Sequence, residues 1–240
     1  MIISIETSTS DLSLTLLNKD SVINHISVPF KCGLSEIIVP TIKMFLLNNS
    51  ISLSDVSFLA VGCGPGSFTG IRSIISTALG IKISNSHIKS IGINSLAGLA
   101  MSALYEAKIL KLKYIISSID SKNNDIFLQL FQINDIRDVS LPFLTISNVE
   151  TIKIEKLHSY FVINNLFLKD VLYFGHHSNL AKKMINNLNI SKNSIQHPDS
   201  LGVGKLASCI IMNNISTKKT TFAFDNFKPI YVRSAQINLK

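Results

Sequence analysis

The stretch Gly62-Cys63-Gly64-Pro65-Gly66-Ser67-Phe68-Thr69-Gly70-Ile71-Arg72 holds residue types that could do chemistry. Four Gly and one Pro lie between an apolar run and a helix-like segment. Gly permits positive φ and close backbone approach, and free amides at a helix start can bind an anion. No Gly-Lys-Ser/Thr follows, so the stretch is not a P-loop. Two other readings stay open: a tight strand-to-helix turn, and a loop that lets another chain's backbone come close. Glu6 ends the first apolar run and is followed by Thr7-Ser8-Thr9-Ser10 without a Gly. Asp120 ends a later run, where a lone Asp is more often a turn or cap residue.

Metal and nucleophile chemistry find little support. The six His, at 25, 87, 158, 176, 177 and 197, include no pair spaced four apart. Adjacent His176 and His177 would point to opposite faces of a strand, and a metal needs convergent ligands. The three Cys, at 32, 63 and 209, form no CxxC, which excludes a zinc knuckle or thioredoxin-type motif. An odd Cys count with no signal-like N-terminus reads as a reducing, cytoplasmic setting. No apolar run reaches the ~18 residues of a membrane span. The formal charge is +8, but its Lys residues are dispersed and Arg occurs only at 72, 137 and 233. A dedicated nucleic-acid reader presents a clustered, Arg-rich patch.

The elements that must position these residues follow from periodicity. Residues 1–6 read as a strand, Leu12, Leu14 and Leu16 as a period-two strand, and 21–29 as a third. Ser35 is placed to cap a helix over 36–48. A buried strand over 57–62, a helix over 70–83, a strand over 88–93 and a helix opened by Ser95 complete the first half. Strands are expected at 113–120, 125–133 and 142–147, a helix near 148–157, a strand near 160–164, and helices near 178–189 and 203–215. Three strands followed by alternating helices and strands suit mixed sheets covered by helices.

The glycine stretch closely resembles the GxGPGSFTGxR signature of the TsaB family of threonylcarbamoyladenosine biosynthesis proteins. Ile5-Glu6-Thr7-Ser8-Thr9 resembles that family's opening IDTST, and Ser35-Glu36 with Pro40 its HSxxLxP helix. Asn94-Ser95-Leu96 with Leu99-Ala100 resembles its SSLxxLA helix, Asp120 falls at its DAR-type strand end, and Pro229, Tyr231, Val232 and Arg233 resemble its terminal PxYLR. Departures are Glu6 for Asp, Leu34 for His, and Asn123 or Asn124 where a basic residue would follow Asp120.

The resemblance implies an α/β, actin-like ATPase (ASKHA, ribonuclease H-like) fold of two mixed-sheet subdomains flanked by helices. They would cover 1–108 and 109–217, with 218–240 packing back on the core. It implies a degenerate nucleotide site at Glu6, Thr7, Ser8 and Asp120, and a non-catalytic role. The catalytic paralogue TsaD would transfer threonylcarbamoyl to adenosine 37 of tRNAs that read codons starting with A, and a small ATPase, TsaE, would dock on the pair. ATP and metal would belong to the partner subunits, none being bound by this chain alone, and tRNA would be met through the complex. The family's contact with TsaD is a helix bundle, which maps to about 35–48 and 70–83: Ser35, Glu36, Ile37, Ile38, Thr41, Phe45, Ile71, Arg72, Ile75 and Leu79.

The residues lend this some support of their own. Ile37, Ile38, Val39, Ile42, Met44, Phe45, Leu46 and Leu47 make the first helix apolar beyond one stripe. Such a helix is covered on two sides, by its own sheet and a partner, or within a two-domain core. Ile71, Ile74, Ile75 and Ala78 form one stripe on the second helix, and Leu79 and Ile83 spill beyond it. Rival readings are an active ATPase or small-molecule kinase of the actin-like superfamily, a glycoprotease-like peptidase, and a homodimer formed through the same helices. A peptidase needs a metal or an activated nucleophile, and no partner for one is evident.

Overall fold

The computed structural model describes residues 1–30, 33–121, 125–134, 141–193, 196–213, 222–224 and 227–232. The first half runs β1 (Ile2–Glu6), β2 (Asp11–Asn18), β3 (Ser21–Pro29), α1 (Leu34–Asn48), β4 (Phe58–Gly62), α2 (Phe68–Ser84), β5 (Lys89–Ile93) and α3 (Ser95–Ile109). The second runs β6 (Tyr114–Asp120), β7 (Asp125–Ile133), β8 (Phe143–Thr145), β9 (Glu150–Lys153), α4 (Leu157–Ile163), β10 (Val171–Gly175), α5 (Ser178–Met184), β11 (Asn189–Ile190), α6 (Ser200–Met212) and β12 (Phe222–Phe224).

Two mixed sheets result. The first has strand order β12-β5-β4-β1-β2-β3, and the second β11-β10-β6-β7-β8, with β9 also on β7. β1 runs antiparallel to β2 and parallel to β4, and β6 repeats this between β7 and β10. Helices fill the space between and outside the sheets. α3 and α6 lie in the middle, where Leu96, Ala100, Val203 and Leu206 join Ile2 and Ile91 of the first sheet to Ile115 and Phe131 of the second. Gly202 lets α6 press on α3, since a Cβ there would overlap the Gly98 carbonyl oxygen. α1 and α2 cover the outer face of the first sheet through Ile38, Phe45, Ile71 and Ile74 against Ile3, Leu14 and Val61. α4 and α5 cover the second through Leu157, Phe161 and Ala181.

Three helices begin at side-chain caps. Ser67 Oγ accepts from the Gly70 amide at 3.2 Å, Asn94 Oδ1 from Leu96 at 2.8 Å and Asp199 Oδ1 from Gly202 at 2.9 Å. α6 is further locked onto the first sheet by a buried polar cluster. Ser4 Oγ donates to the Ser200 carbonyl at 2.7 Å, the Ser200 amide donates to Ser13 Oγ at 2.8 Å, and Thr15 Oγ1 lies 2.7 Å from Ser200 Oγ.

Several expectations are corrected. α1 is entered through Gly33 at φ +73°, not through a Ser35 cap; Ser35 Oγ instead lies 3.3 Å from Ser73 Oγ on α2. The expected helix near 148–157 is β9 and a 3-10 turn, because Thr151 and Ile152 pair with Phe127 and Ile126. The expected strand near 160–164 is helical: Leu157, Tyr160 and Phe161 form one buried stripe at helical spacing. β10 was not foreseen, although all five of its residues are buried. α5 ends at Met184 rather than near 189, and α6 starts at Ser200, where the Asp199 cap opens it. Asn123, Asn124, Arg137 and Arg233 lie outside the described residues.

Candidate functional site: a closed loop and an open helix face

Glu6 is fully buried at the end of β1. Its Oε1 accepts from the amides of Thr7 at 2.8 Å and Ser8 at 2.7 Å, and its Oε2 from the Ser95 hydroxyl at 2.6 Å. Burial raises its pKa above the ordinary carboxylate value, and these hydrogen bonds only partly offset that. The amides of the β1–β2 turn therefore close on the protein's own carboxylate. Neither is left to point at an exogenous anion.

The glycine stretch wraps this carboxylate. A Cβ on Gly62 would overlap Glu6 Oε2, one on Gly66 would overlap the Ser8 carbonyl, and one on Gly70 the Thr7 carbonyl. The backbone is stitched in place as well. Ser67 N donates to Ser8 O at 2.7 Å, Thr7 Oγ1 to Gly70 O at 2.9 Å, and Ser95 N to Gly64 O at 2.8 Å. Gly64 sits at φ +89°, a left-handed conformation that favours glycine, and its amide donates to Ser95 Oγ at 3.1 Å. Pro65 is buried, while Ser67, Phe68 and Thr69 are exposed at the start of α2. Of the readings left open for this stretch, close backbone packing describes the geometry, and the approaching backbone is that of the β1–β2 turn. Cys63 lies beside Glu6, and burial pushes its thiol up to about 12, which keeps it from acting as a thiolate nucleophile.

Outside this closed loop, α1 and α2 present an open apolar face. Val39, Met44 and Leu47 on α1 are 57%, 55% and 58% exposed, and Leu79 and Ile83 on α2 are 42% and 83% exposed. Ser35, Glu36 and Arg72 are exposed beside them, and Ile37 and Thr41 are half-buried. Four of the expected contact residues lie elsewhere: Ile38, Phe45, Ile71 and Ile75 are buried in the protein's own core, so they can support this face but do not form it. The residues that do, Val39, Met44 and Leu47, follow from a helical wheel. They fall on one side of α1, and Ile38, Ile42 and Phe45 on the other.

Phe68, Arg72, Leu79 and Ile83 share one side of α2 by their spacing. At its N-terminal end the Arg72 guanidinium stacks 3.8 Å over the Phe68 ring, and Arg72 Nε donates to Tyr231 Oη at 2.8 Å. The Phe68 and Tyr231 ring centroids are 5.2 Å apart. The C-terminal segment is thereby tied to the glycine stretch, with Ile230 N donating to Cys63 O at 2.8 Å and Phe227 buried in the outer core.

Asp120 ends β6 on the second sheet. His177 Nε2 lies 3.7 Å from Asp120 Oδ1, and His197 Nε2 lies 3.9 Å from Asp11 Oδ2. Burial lowers the pKa of His176, and the charge of Asp120 opposes that shift. Among the described residues no three His, Cys, Asp or Glu converge as a metal site, and no helix is long and apolar enough to cross a membrane.

The family model described as TsaD, tRNA N6-adenosine threonylcarbamoyltransferase, matches residues 32–233. The tRNA threonylcarbamoyladenosine biosynthesis protein TsaB of Escherichia coli is 29% identical over 131 residues, 55% of this chain and 54% of that protein. The TsaB protein of Bacillus subtilis is 26% identical over 189 residues, 78% of this chain and 76% of its own length. The match spans about half the length of the E. coli relative. Among solved structures, YeaZ from Pseudomonas aeruginosa superposes with a TM-score of 0.71 at 18% identity, covering 88% of this chain and 92% of that one, which shows a shared fold. The two sheets, the glycine stretch closed on Glu6 and the family match agree: the chain belongs to the TsaD family of tRNA N6-adenosine threonylcarbamoyltransferases, as a TsaB-type member.

Proposed function

We propose that this chain is a non-catalytic scaffold and activator subunit for threonylcarbamoyl transfer to adenosine 37 of tRNAs that read codons starting with A. It acts by forming a heterodimer with the catalytic paralogue TsaD. The observation that carries this reading is the open apolar face of α1 and α2, Val39, Met44, Leu47, Leu79 and Ile83. α1 and α2 pack side by side, and exposed apolar side chains grouped on neighbouring elements mark protein contact sites. TsaE docks on the pair, and tRNA is met through the complex.

Chemistry by the chain itself is disfavoured by the closed loop. A phosphate at the β1–β2 turn would need the Thr7 and Ser8 amides, which Glu6 occupies, and it would meet that buried carboxyl group at close range. Peptidase chemistry would need an activated nucleophile, and Cys63 is buried with a raised pKa. ATP and metal then reside with the partner subunits.

The test is reconstitution of threonylcarbamoyl transfer from the donor, tRNA, the catalytic paralogue and the small ATPase, with and without this chain. The reading requires little modification without the chain and restoration on adding it. It also requires the Glu6→Gln chain, if folded, to restore activity as wild type does. A folded Glu6→Gln chain that assembles but fails to activate would point to nucleotide chemistry at this site.

A further inference from the structure

Among the described residues the chain passes from one sheet to the other at two places: between β5 and β6, through α3, and between β11 and β12, through α6. α3 rests on β6, β7 and β10 of the second sheet, although β5, which leads into it, belongs to the first. α6 rests on β1, β2 and β4 of the first sheet, although β11 belongs to the second. The pivots are therefore Asn94-Ser95, at the start of α3, and the segment before α6. Between them the two helices meet at Gly98 and Gly202 and through Leu96, Ala100, Val203 and Leu206. Apolar contact is non-directional. Packed helices slide in shear motions, and the ends of elements serve as hinges.

Polar groups hold both pivots. At the first, adjacent residues grip opposite sheets. Ser95 Oγ donates to Glu6 Oε2 at 2.6 Å and accepts from the Gly64 amide at 3.1 Å, both on the first-sheet side. Asn94 Nδ2 donates to Gln129 Oε1 on β7 at 2.8 Å, and Gln129 Nε2 donates to the Ser147 carbonyl at 3.0 Å. Asn94, Ser95 and Gln129 are all buried, so these bonds are costly to leave unmade. At the second pivot Glu106, near the end of α3, accepts from Ser191 Oγ and, at 2.9 Å, from the Lys192 amide. The Asp199 cap then fixes the start of α6.

We propose that two pins, Asn94–Gln129 and Glu106 with Ser191 and Lys192, lock the hinge between the sheets, so that the two sheets move as one rigid body. The inference does not depend on the scaffold reading. Gln129 is what makes the first pin more than a helix cap. Asn94 Oδ1 alone supplies the cap, through the Leu96 amide at 2.8 Å. Its Nδ2 and the whole Gln129 carboxamide are additional, and they join α3 to the second sheet. Packing does not call for a carboxamide here: Phe127 and Phe131 flank position 129 on the same face of β7 and lie in the apolar layer. A polar group in that layer is costly unless it is hydrogen-bonded.

Amide residual dipolar couplings of the full chain in a weakly aligning medium test the lock. A rigid body gives one alignment tensor for the amides of β1–β5 and β6–β10, and a hinged one gives two of different magnitude. The wild-type chain should fit one. Gln129→Met with Glu106→Ala removes both pins and keeps the size at position 129. It should lose the common tensor while each sheet still fits its own. If that variant fails to fold, by amide dispersion and thermal melting, Asn94→Ser with Glu106→Ala replaces it with the same expectation, since Ser retains the helix cap without reaching Gln129. Ile126→Val, in the outer core of the second sheet, is the control for lost stability alone and should keep one tensor. Two tensors in the wild type, or one tensor in a folded double variant, overturns the lock. Loss of the common tensor in Ile126→Val overturns it equally, because any loss of stability would then free the sheets.

Discussion

Glu6 and Gly62 occupy one space: the carboxylate at the end of β1 lies where a Cβ on residue 62 would stand. The same carboxylate closes the β1–β2 turn through the Thr7 and Ser8 amides and reaches α3 through Ser95. The two residues should therefore be energetically coupled. Gly62→Ala should destabilise the chain by about 3 kcal/mol, the upper part of the range for overpacking. Glu6→Ala should cost a similar ~1–3 kcal/mol by leaving buried amides without an acceptor. The double variant should cost less than the sum by at least ~1 kcal/mol, as expected for residues in direct contact. Urea denaturation of the four proteins measures this, and additive costs would show that the carboxylate and the loop do not share the space.

Burial raises the Glu6 pKa above its ordinary value of 4.5, and this fixes the sign of a pH effect. The folded chain holds that proton more tightly than the unfolded chain does. The contribution of Glu6 to stability is thus fully present below pH 4.5 and is lost as pH rises through the folded value. Relative to Glu6→Gln, the wild-type chain should be favoured most at pH 4.5 and progressively less toward pH 8. Urea midpoints of both proteins across that range provide the check, and a difference that grows with pH would contradict the assignment.

Arg72 and Tyr231 tie the C-terminal segment to the start of α2. The contact is exposed, so its weight in folding is small. Tyr231→Phe removes the acceptor for Arg72 Nε and should cost about 0.5 kcal/mol. Arg72→Lys loses both that bond and the flat stack on Phe68, and should cost up to ~1 kcal/mol. Thermal melts distinguish these from the multi-kcal/mol losses expected at Glu6 and Gly62. A loss of that size at Tyr231 would mean that the segment is integral to the core.

Ile38 and Val39 are neighbours with opposite fates. Ile38 is 2% exposed and Val39 57%. Ile38→Glu places a charge in the outer core and should unfold the chain. Val39→Glu should change stability by no more than ~0.5 kcal/mol while sharply weakening the partner complex. Circular dichroism for folding and titration for binding separate the two outcomes.

The first half of the fold was legible because its strands alternate or run apolar between clear breakers, as in Leu12–Leu16 and the segment before Gly62. The second half was less so. Tyr160-Phe161-Val162-Ile163 is rich in strand formers yet lies in α4, and Val171–Gly175 is too short for periodicity to distinguish strand from helix. The candidate site divides in the same way. The glycine stretch was visible at once, but its occupant was not, since Glu6 meets Gly62 and Ser95 only through the tertiary fold. On α1 the excess of apolar residues signalled two covered sides. Only the orientation of the helix on its sheet shows that Phe45 faces inward and Leu47 outward.

In the proposed function, the open face of α1 and α2 binds a catalytic partner. Its most direct test is size-exclusion chromatography with light scattering, on the chain alone and mixed with the catalytic paralogue of the same organism, for wild type and for Leu47→Glu. A discrete one-to-one complex is expected for wild type, and two separate, folded species for Leu47→Glu. A wild-type chain that forms no complex, even with ATP and the small ATPase present, or a Leu47→Glu chain that binds as wild type does, would contradict it.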